Sequence, residues 1–258
     1  MNKFEKAKIQ MMELDEASKK NNFINKMHPV IKILITLIFL ICVLSINKYD
    51  ISKLIYYSVF PIFLITFGDV NLKRFFKLII YLSPLILLFV LSNIFLNRIP
   101  AFYLNNFGIT YGMISALSLF IKNIFSILIG YILISTTGIY NICYGLNKLF
   151  IPEIITNQIL LTYRYIFVLL NEAGEMSNAY KLRAPKQKGI KNKTWGSFVG
   201  TLFIKSSNRA NDLYESMILR GYKNKIYEFK KIKVRMRDIM FLLISAIVLI
   251  SFTLMKGI

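Results

Sequence analysis

An all-α membrane protein, with about five transmembrane helices and a cytoplasmic helical domain inserted before the last span, is the fold class this sequence predicts. Three observations carry the expectation. Of the 258 residues, 55% are hydrophobic, and many are gathered into apolar runs of 17 to 29 residues, close to the ~20 that a helix needs to cross a bilayer. The 33 Lys and Arg against 13 Asp and Glu fall mainly between those runs, where water or headgroups solvate them. Residues 138–237 depart from this pattern: they hold 18 basic and six acidic residues, and their apolar residues recur with helical period in short stretches.

Taken in order, residues 1–28 mix six Lys with four acids and contain no apolar core of signal-peptide length, which predicts an amphipathic or loosely ordered cytoplasmic leader. The first span, VIKILITLIFLICVLSI at 30–46, is entered through His28-Pro29; proline suits a first helical turn because the N–H it lacks would be unpaired there anyway. A second span covers about 51–67. The stretch GDVNLKRFFK, with Lys73, Arg74 and Lys77, leads into a third at about 78–96 that contains Pro84. A sparsely charged connection, NRIPAFYLNNFG, precedes a long apolar segment at 109–137. At 1.5 Å per residue that segment would reach about 43 Å against a core of about 30 Å, so its first turns lie in the interface or the helix tilts. Lys122, near its middle, is expected to snorkel or to find partners inside the protein, a role in coupling being the alternative. The fifth span is 239–255.

The Lys/Arg distribution sets the orientation. The 73–77 loop and the 138–237 segment belong inside, and the poorly basic 47–53 and 97–107 connections outside. The domain plan is a cytoplasmic leader (1–28), four spans (29–137), a basic cytoplasmic coupling domain (138–237) and a last span (238–258). Neither Cys42 nor Cys143 has a second Cys or a His at ligand spacing, so both are expected to be small packing residues. His28, the single histidine, has no set of partners for a metal site.

Within 138–237 two helices fit one template. Ile166, Leu169, Ala173, Met176, Tyr180 and Arg183 are spaced 3, 4, 3, 4, 3, and Phe203, Ser206, Ala210, Leu213, Met217 and Arg220 repeat that spacing 37 residues later. Asn171 and Asn208, Glu175 and Asp212, Leu182 and Leu219, and Lys186 and Lys223 agree at the same offset. Each stripe predicts one buried helix face, with an arginine one step beyond it. A basic last turn and a C′ glycine are ordinary helix ends. Two such ends at equal phase suggest a matched pair of contact points, because arginine's planar, permanently charged fork suits an acidic groove.

LLTYRYIFVLLNEAGEMSNAYKLRAP (160–185) and SSNRANDLYESMILRGY (206–222) resemble the two signature segments of the transmembrane T component of energy-coupling-factor (ECF) transporters. HPVIKILITLIF, the Thr136-Thr137 pair and GLNKLFIPEIITNQILLTYRYIFVLLNEA extend the resemblance over most of the chain, and its texture is closest to the cobalt/nickel-type branch. The resemblance implies that Ala-Arg-Gly-like motifs, here Leu182-Arg183-Ala184 and Leu219-Arg220-Gly221, end two coupling helices and engage two ABC-type ATPase subunits. Both motifs have Leu where the family has Ala, and Ala184-Pro185 replaces Gly in the first, so that helix is expected to end differently. The same likeness implies an importer subunit in a prokaryotic cell membrane, working with a separate substrate-binding membrane subunit and the lipid bilayer. It binds no cofactor and no metal itself; its partner ATPases use ATP and Mg. A vitamin-type ECF transporter is the alternative.

Two other classes fit less well. The sequence lacks a G-x-x-x-x-G-K-[ST] phosphate loop, and the spans hold almost no acid from which an intramembrane enzyme could build a site, so no catalytic residue is expected. The basic run KLRAPKQKGIKNK at 181–193 is a solvated loop near anionic headgroups, where each basic residue contributes about 1 kcal/mol, and no nucleic-acid partner is expected.

Overall fold

The computed structural model describes residues 3–20, 22–96, 100–104, 107–185, 187, 189–222 and 232–254. In chain order the described elements are α1 (Lys3–Ser18), α2 (Pro29–Ser45), α3 (Ile51–Gly68), α4 (Leu72–Leu96), β1 (Pro100–Leu104), β2 (Phe107–Thr110), α5 (Tyr111–Thr137), α6 (Ile139–Lys148), α7 (Glu153–Arg183), α8 (Asn192–Leu219) and α9 (Met236–Leu254). They fall into two compact units. One contains Met1–Glu16 and Ile139–Lys231; the other contains Ala17–Gly138 and Ile232–Ile258.

The second unit is the membrane unit. Its α3, α4, α5 and α9 are long and apolar enough to cross a bilayer, and α2 is a 17-residue apolar helix, so the protein is a multi-pass membrane protein. α2 packs on α5 and α9, α3 on the same two helices, and α4 on α5. Phe39, Val43, Leu54, Tyr57, Ile129 and Leu249 are fully buried where they meet, with the Phe39 ring 5.5 Å from Phe60 and 6.0 Å from Tyr57. Between helices in lipid such packing works through dispersion rather than water exclusion, so Ile80 and Tyr81 of α4 can stay more than two-thirds exposed. Hydrogen bonds add specificity. Tyr57 Oη donates to the Leu249 carbonyl at 2.7 Å, and Asn93 Nδ2 donates to Ser115 Oγ at 2.9 Å.

Three details differ from the sequence reading. The third apolar helix starts at Leu72, because Lys73, Arg74 and Lys77 form its first turns instead of a loop. Part of the connection before α5 is an antiparallel hairpin, with Tyr103 opposite Gly108 and Leu104 opposite Phe107. α5 begins at Tyr111, after Thr110 takes the N-cap and its side chain accepts from the Met113 amide at 3.3 Å. Its 27 residues still exceed the bilayer core, at about 40 Å.

Lys122 is 8% exposed. Its Nζ donates to the carbonyls of Ile46 and, at 3.4 Å, Leu44. These lie at the C-terminal end of α2, where carbonyls lack intrahelical partners and carry the negative end of the helix dipole. The lysine is thus paired internally, to backbone. His28 is the N-cap of α2 and is buried. Both cysteines are free and buried.

Candidate functional site

The two templated helices are α7 and α8, of 31 and 28 residues, each over 40 Å long at 1.5 Å per residue. They belong with α1 and α6 to the first unit. On α7 the stripe residue Ala173 is 2% exposed, and Ile166, Leu169, Met176 and Tyr180 are half-buried. On α8 the stripe departs from the expected burial. Leu213, Met217 and Ser206 are half-buried, but Ala210 is exposed and Phe203 is 72% exposed. The helices are bridged by Arg209 Nη2 and Glu172 Oε1 at 2.7 Å, and beside this bridge they leave an open groove of about 510 Å³. Leu161, Tyr165 and Leu169 line it from α7, and Ala210, Leu213 and Met217 from α8. Of the stripe residues, Leu169 of α7 and Ser206, Ala210, Leu213 and Met217 of α8 line this groove.

The helix ends are built differently, as the sequence predicts. Arg220 is the C-cap of α8. The Gly221 amide donates to the Ile218 carbonyl (2.8 Å) and the Tyr222 amide to the Met217 carbonyl (3.0 Å), with Gly221 at φ +79°. This is a Schellman motif, and its usual apolar contact between C″ and C3 falls on Tyr222 and Met217. Nothing lies within 4 Å of a Cβ built on Gly221, so the glycine is required for its φ and not for space. Gly221→Ala is expected to destabilise this end by about 1 kcal/mol, read as faster amide exchange at residues 220–222 with the rest of α8 unchanged. α7 ends instead with Ala184 at φ −134°, its amide donating to the Tyr180 carbonyl at 3.0 Å, while Tyr180 Oη donates to Gln187 Oε1 at 2.7 Å. Lys181 and Arg183 in its last turn complement the helix dipole.

Both ends present the same pair to the outside. Leu182 is 84% exposed and Leu219 88%, and Arg183, Arg220 and Gly221 are exposed with them, Ala184 being half-buried. An exposed leucine beside an exposed arginine offers a partner an apolar knob and a bidentate cation. Lys186 and Lys223, which share the 37-residue offset, lie outside the described residues.

Sequence reasoning missed the role of α1. Three contacts join it to both long helices: the Phe4 ring stacks 6.0 Å from Phe198 of α8, Lys8 Nζ donates to Asn171 Oδ1 at 3.0 Å, and Tyr163 Oη donates to Asp15 Oδ2 at 2.7 Å. No apolar stripe in α1 signals this; single residues make the contacts. Burial, together with the Asp15 carboxylate, pushes the Tyr163 hydroxyl well above its usual range. A raised folded-state value means that this contact contributes fully below about pH 10, the unfolded value, and is lost progressively above it. Tyr163→Phe is expected to cost about 1 kcal/mol and to loosen α1, measured as faster amide exchange over residues 4–16.

Among the described residues no group of three or more His, Cys, Asp or Glu is placed to hold a metal ion. Residues 20–229 match the family described as cobalt transport protein, CbiQ. An uncharacterised protein of Methanocaldococcus jannaschii is 29% identical over 229 residues, covering 84% of this chain and 77% of its own length. The energy-coupling factor transporter transmembrane protein EcfT of Clostridium kluyveri is 26% identical over 256 residues, covering 92% of this chain and 94% of its own.

Proposed function

The chain belongs to the cobalt transport protein family, and from that premise we propose that it is the transmembrane energy-coupling component of an ECF-type importer, passing ATPase movement to a separate substrate-binding membrane subunit. The observation that carries the reading is the pair of exposed Leu-Arg ends, Leu182-Arg183 and Leu219-Arg220, on two long helices of one unit. Each arginine docks into an acidic groove of one ABC-type ATPase, and each leucine fills an apolar recess beside it. α7 and α8 are rigid levers more than 40 Å long, and the groove between them leaves room for one to shift against the other. The reading puts the first unit in the cytoplasm and the 97–107 connection outside, and the basic-residue distribution supports it.

ATP and Mg are bound and hydrolysed by the partners, and this chain binds neither a cofactor nor the cargo. The family and the texture of residues 145–173 favour cobalt or nickel as cargo over a vitamin. The test is co-purification in mild detergent from the native membrane. Two ABC-type ATPase chains and a small hydrophobic membrane protein are expected with this chain; a preparation without any ATPase overturns the proposal.

A further inference from the structure

The chain passes between its two units at three places: after Glu16, after Gly138 and before Ile232. On the membrane unit's side, residues beside all three crossings converge on one side chain. Lys32, in the first turn of α2, is 7% exposed. Its Nζ donates to the backbone oxygens of Thr136 at 3.0 Å and Asn25 at 3.2 Å, and the Asp238 carboxylate, itself 6% exposed, attracts it electrostatically.

Each partner belongs to a different crossing. Asn25 lies in the segment between α1 and α2, and its Nδ2 donates to the carbonyls of Ala17 (3.0 Å) and Ser18 (3.4 Å). Thr136 is in the last turn of α5, two residues before Gly138. Asp238 is in the first turn of α9, where its Oδ2 accepts from the Arg235 amide at 3.2 Å, as an N3 carboxylate does in half of a capping box. The first two crossings also touch each other. Gly138 has φ +73°, and a Cβ there would sit 2.6 Å from Ser18 Oγ, so only glycine permits that approach.

A lysine ammonium offers three donors, and burying it is costly unless they are used. Here two hydrogen bonds tie the end of α5 and the segment before α2, and the attraction of the Asp238 carboxylate adds the start of α9, none of which neighbours another in sequence. We propose that Lys32 is a positioning residue for energy coupling, pinning the three crossings into one node so that movement of the first unit reaches α2, α5 and α9 together. This rests on the coupling function above. Without the pin, each crossing bends separately and the movement is dissipated in the connecting segments.

The test is hydrogen exchange on the whole complex with its ATPases, with and without ATP and vanadate, for wild type, Lys32→Met and Lys32→Arg. Wild type is expected to show a nucleotide-dependent change at residues 24–28, 134–138 and 235–238 alike. Lys32→Met is expected to keep its ATPases, to exchange at least tenfold faster at all three segments and to lose the nucleotide response there; Lys32→Arg is expected to retain it. A wild-type nucleotide response in Lys32→Met overturns the pin while leaving the coupling function intact, whereas a wild-type complex without ATPases overturns both. If Lys32→Met misfolds and sheds the ATPases, Asp238→Asn decides. Exchange about threefold faster at residues 24–28 and 134–138, which the lost Asp238 cap does not itself reach, supports the node, and unchanged exchange there overturns it.

Discussion

Reversing both helix-end arginines, Arg183→Glu with Arg220→Glu, is expected to strip the ATPases from the purified complex and to reduce transport-linked ATP hydrolysis by about a thousandfold. The magnitude follows from the chemistry of a docked guanidinium. Losing one partner of a buried, hydrogen-bonded charge pair costs roughly 2 to 5 kcal/mol, and a glutamate placed against an acidic groove adds repulsion to the loss. Two sites at the low end of that range already give about 4 kcal/mol, close to a thousandfold. The fold should survive, because both side chains are exposed and a charge at an exposed helix C-terminus is worth only about 0.3 to 1 kcal/mol. The single reversals should differ. Arg220 stands on a helix end fixed by the Gly221 turn, whereas Arg183 precedes an end closed through Ala184 and the Tyr180 to Gln187 bond. Size-exclusion of the membrane extract with subunit quantification reads the result. A double variant that keeps both ATPases and their transport-linked activity would show that the exposed pair is only a helix terminus.

Lys122→Glu is expected to remove folded protein from the membrane altogether. Lys122 donates to carbonyls of Leu44 and Ile46, and a carboxylate there is an acceptor facing acceptors. The two charge-assisted hydrogen bonds contribute about 1.5 to 3 kcal/mol each, and an unpaired buried anion costs a further 3 kcal/mol or more. The total, on the order of 5 kcal/mol or above, equals the whole stability of many domains. Lys122→Arg, which keeps the charge and the donors, should retain folded protein. The measurement is the monodisperse fraction of a fluorescent fusion after detergent extraction. Equal recovery of Lys122→Glu and wild type would mean that the end of α2 does not depend on this lysine.

These three residues mark how far sequence carries. The Leu182-Arg183 and Leu219-Arg220 helix ends were legible because their signal is local: a stripe with 3,4 spacing and an arginine beyond it lie within one helix, and the pattern recurs 37 residues on. Lys122 was legible only as a cost, since a charge in an apolar run demands some partner without naming it. Lys32 drew no attention, because one lysine in the first turn of an apolar helix looks like an ordinary interfacial residue. Its partners are 7, 104 and 206 positions away, and no periodicity links them. Phe203 was misread for the same reason. Spacing places it on a stripe, but whether a stripe is covered depends on what packs beside it, and Phe203 is left 72% exposed.

The sequence by itself determined that this is a multi-pass helical membrane protein, which segments are apolar enough to span, and where two long helices end in a Leu-Arg pair. Hydrophobic run length, helical period and capping chemistry are properties of neighbours along the chain. Only the tertiary structure decided that α1 rests on both long helices, α7 and α8, that Lys122 closes the end of α2, and that three distant crossings share Lys32. Those facts depend on which buried donors find which orphan carbonyls, and burial in an apolar interior makes each pairing obligatory without fixing the partner in advance.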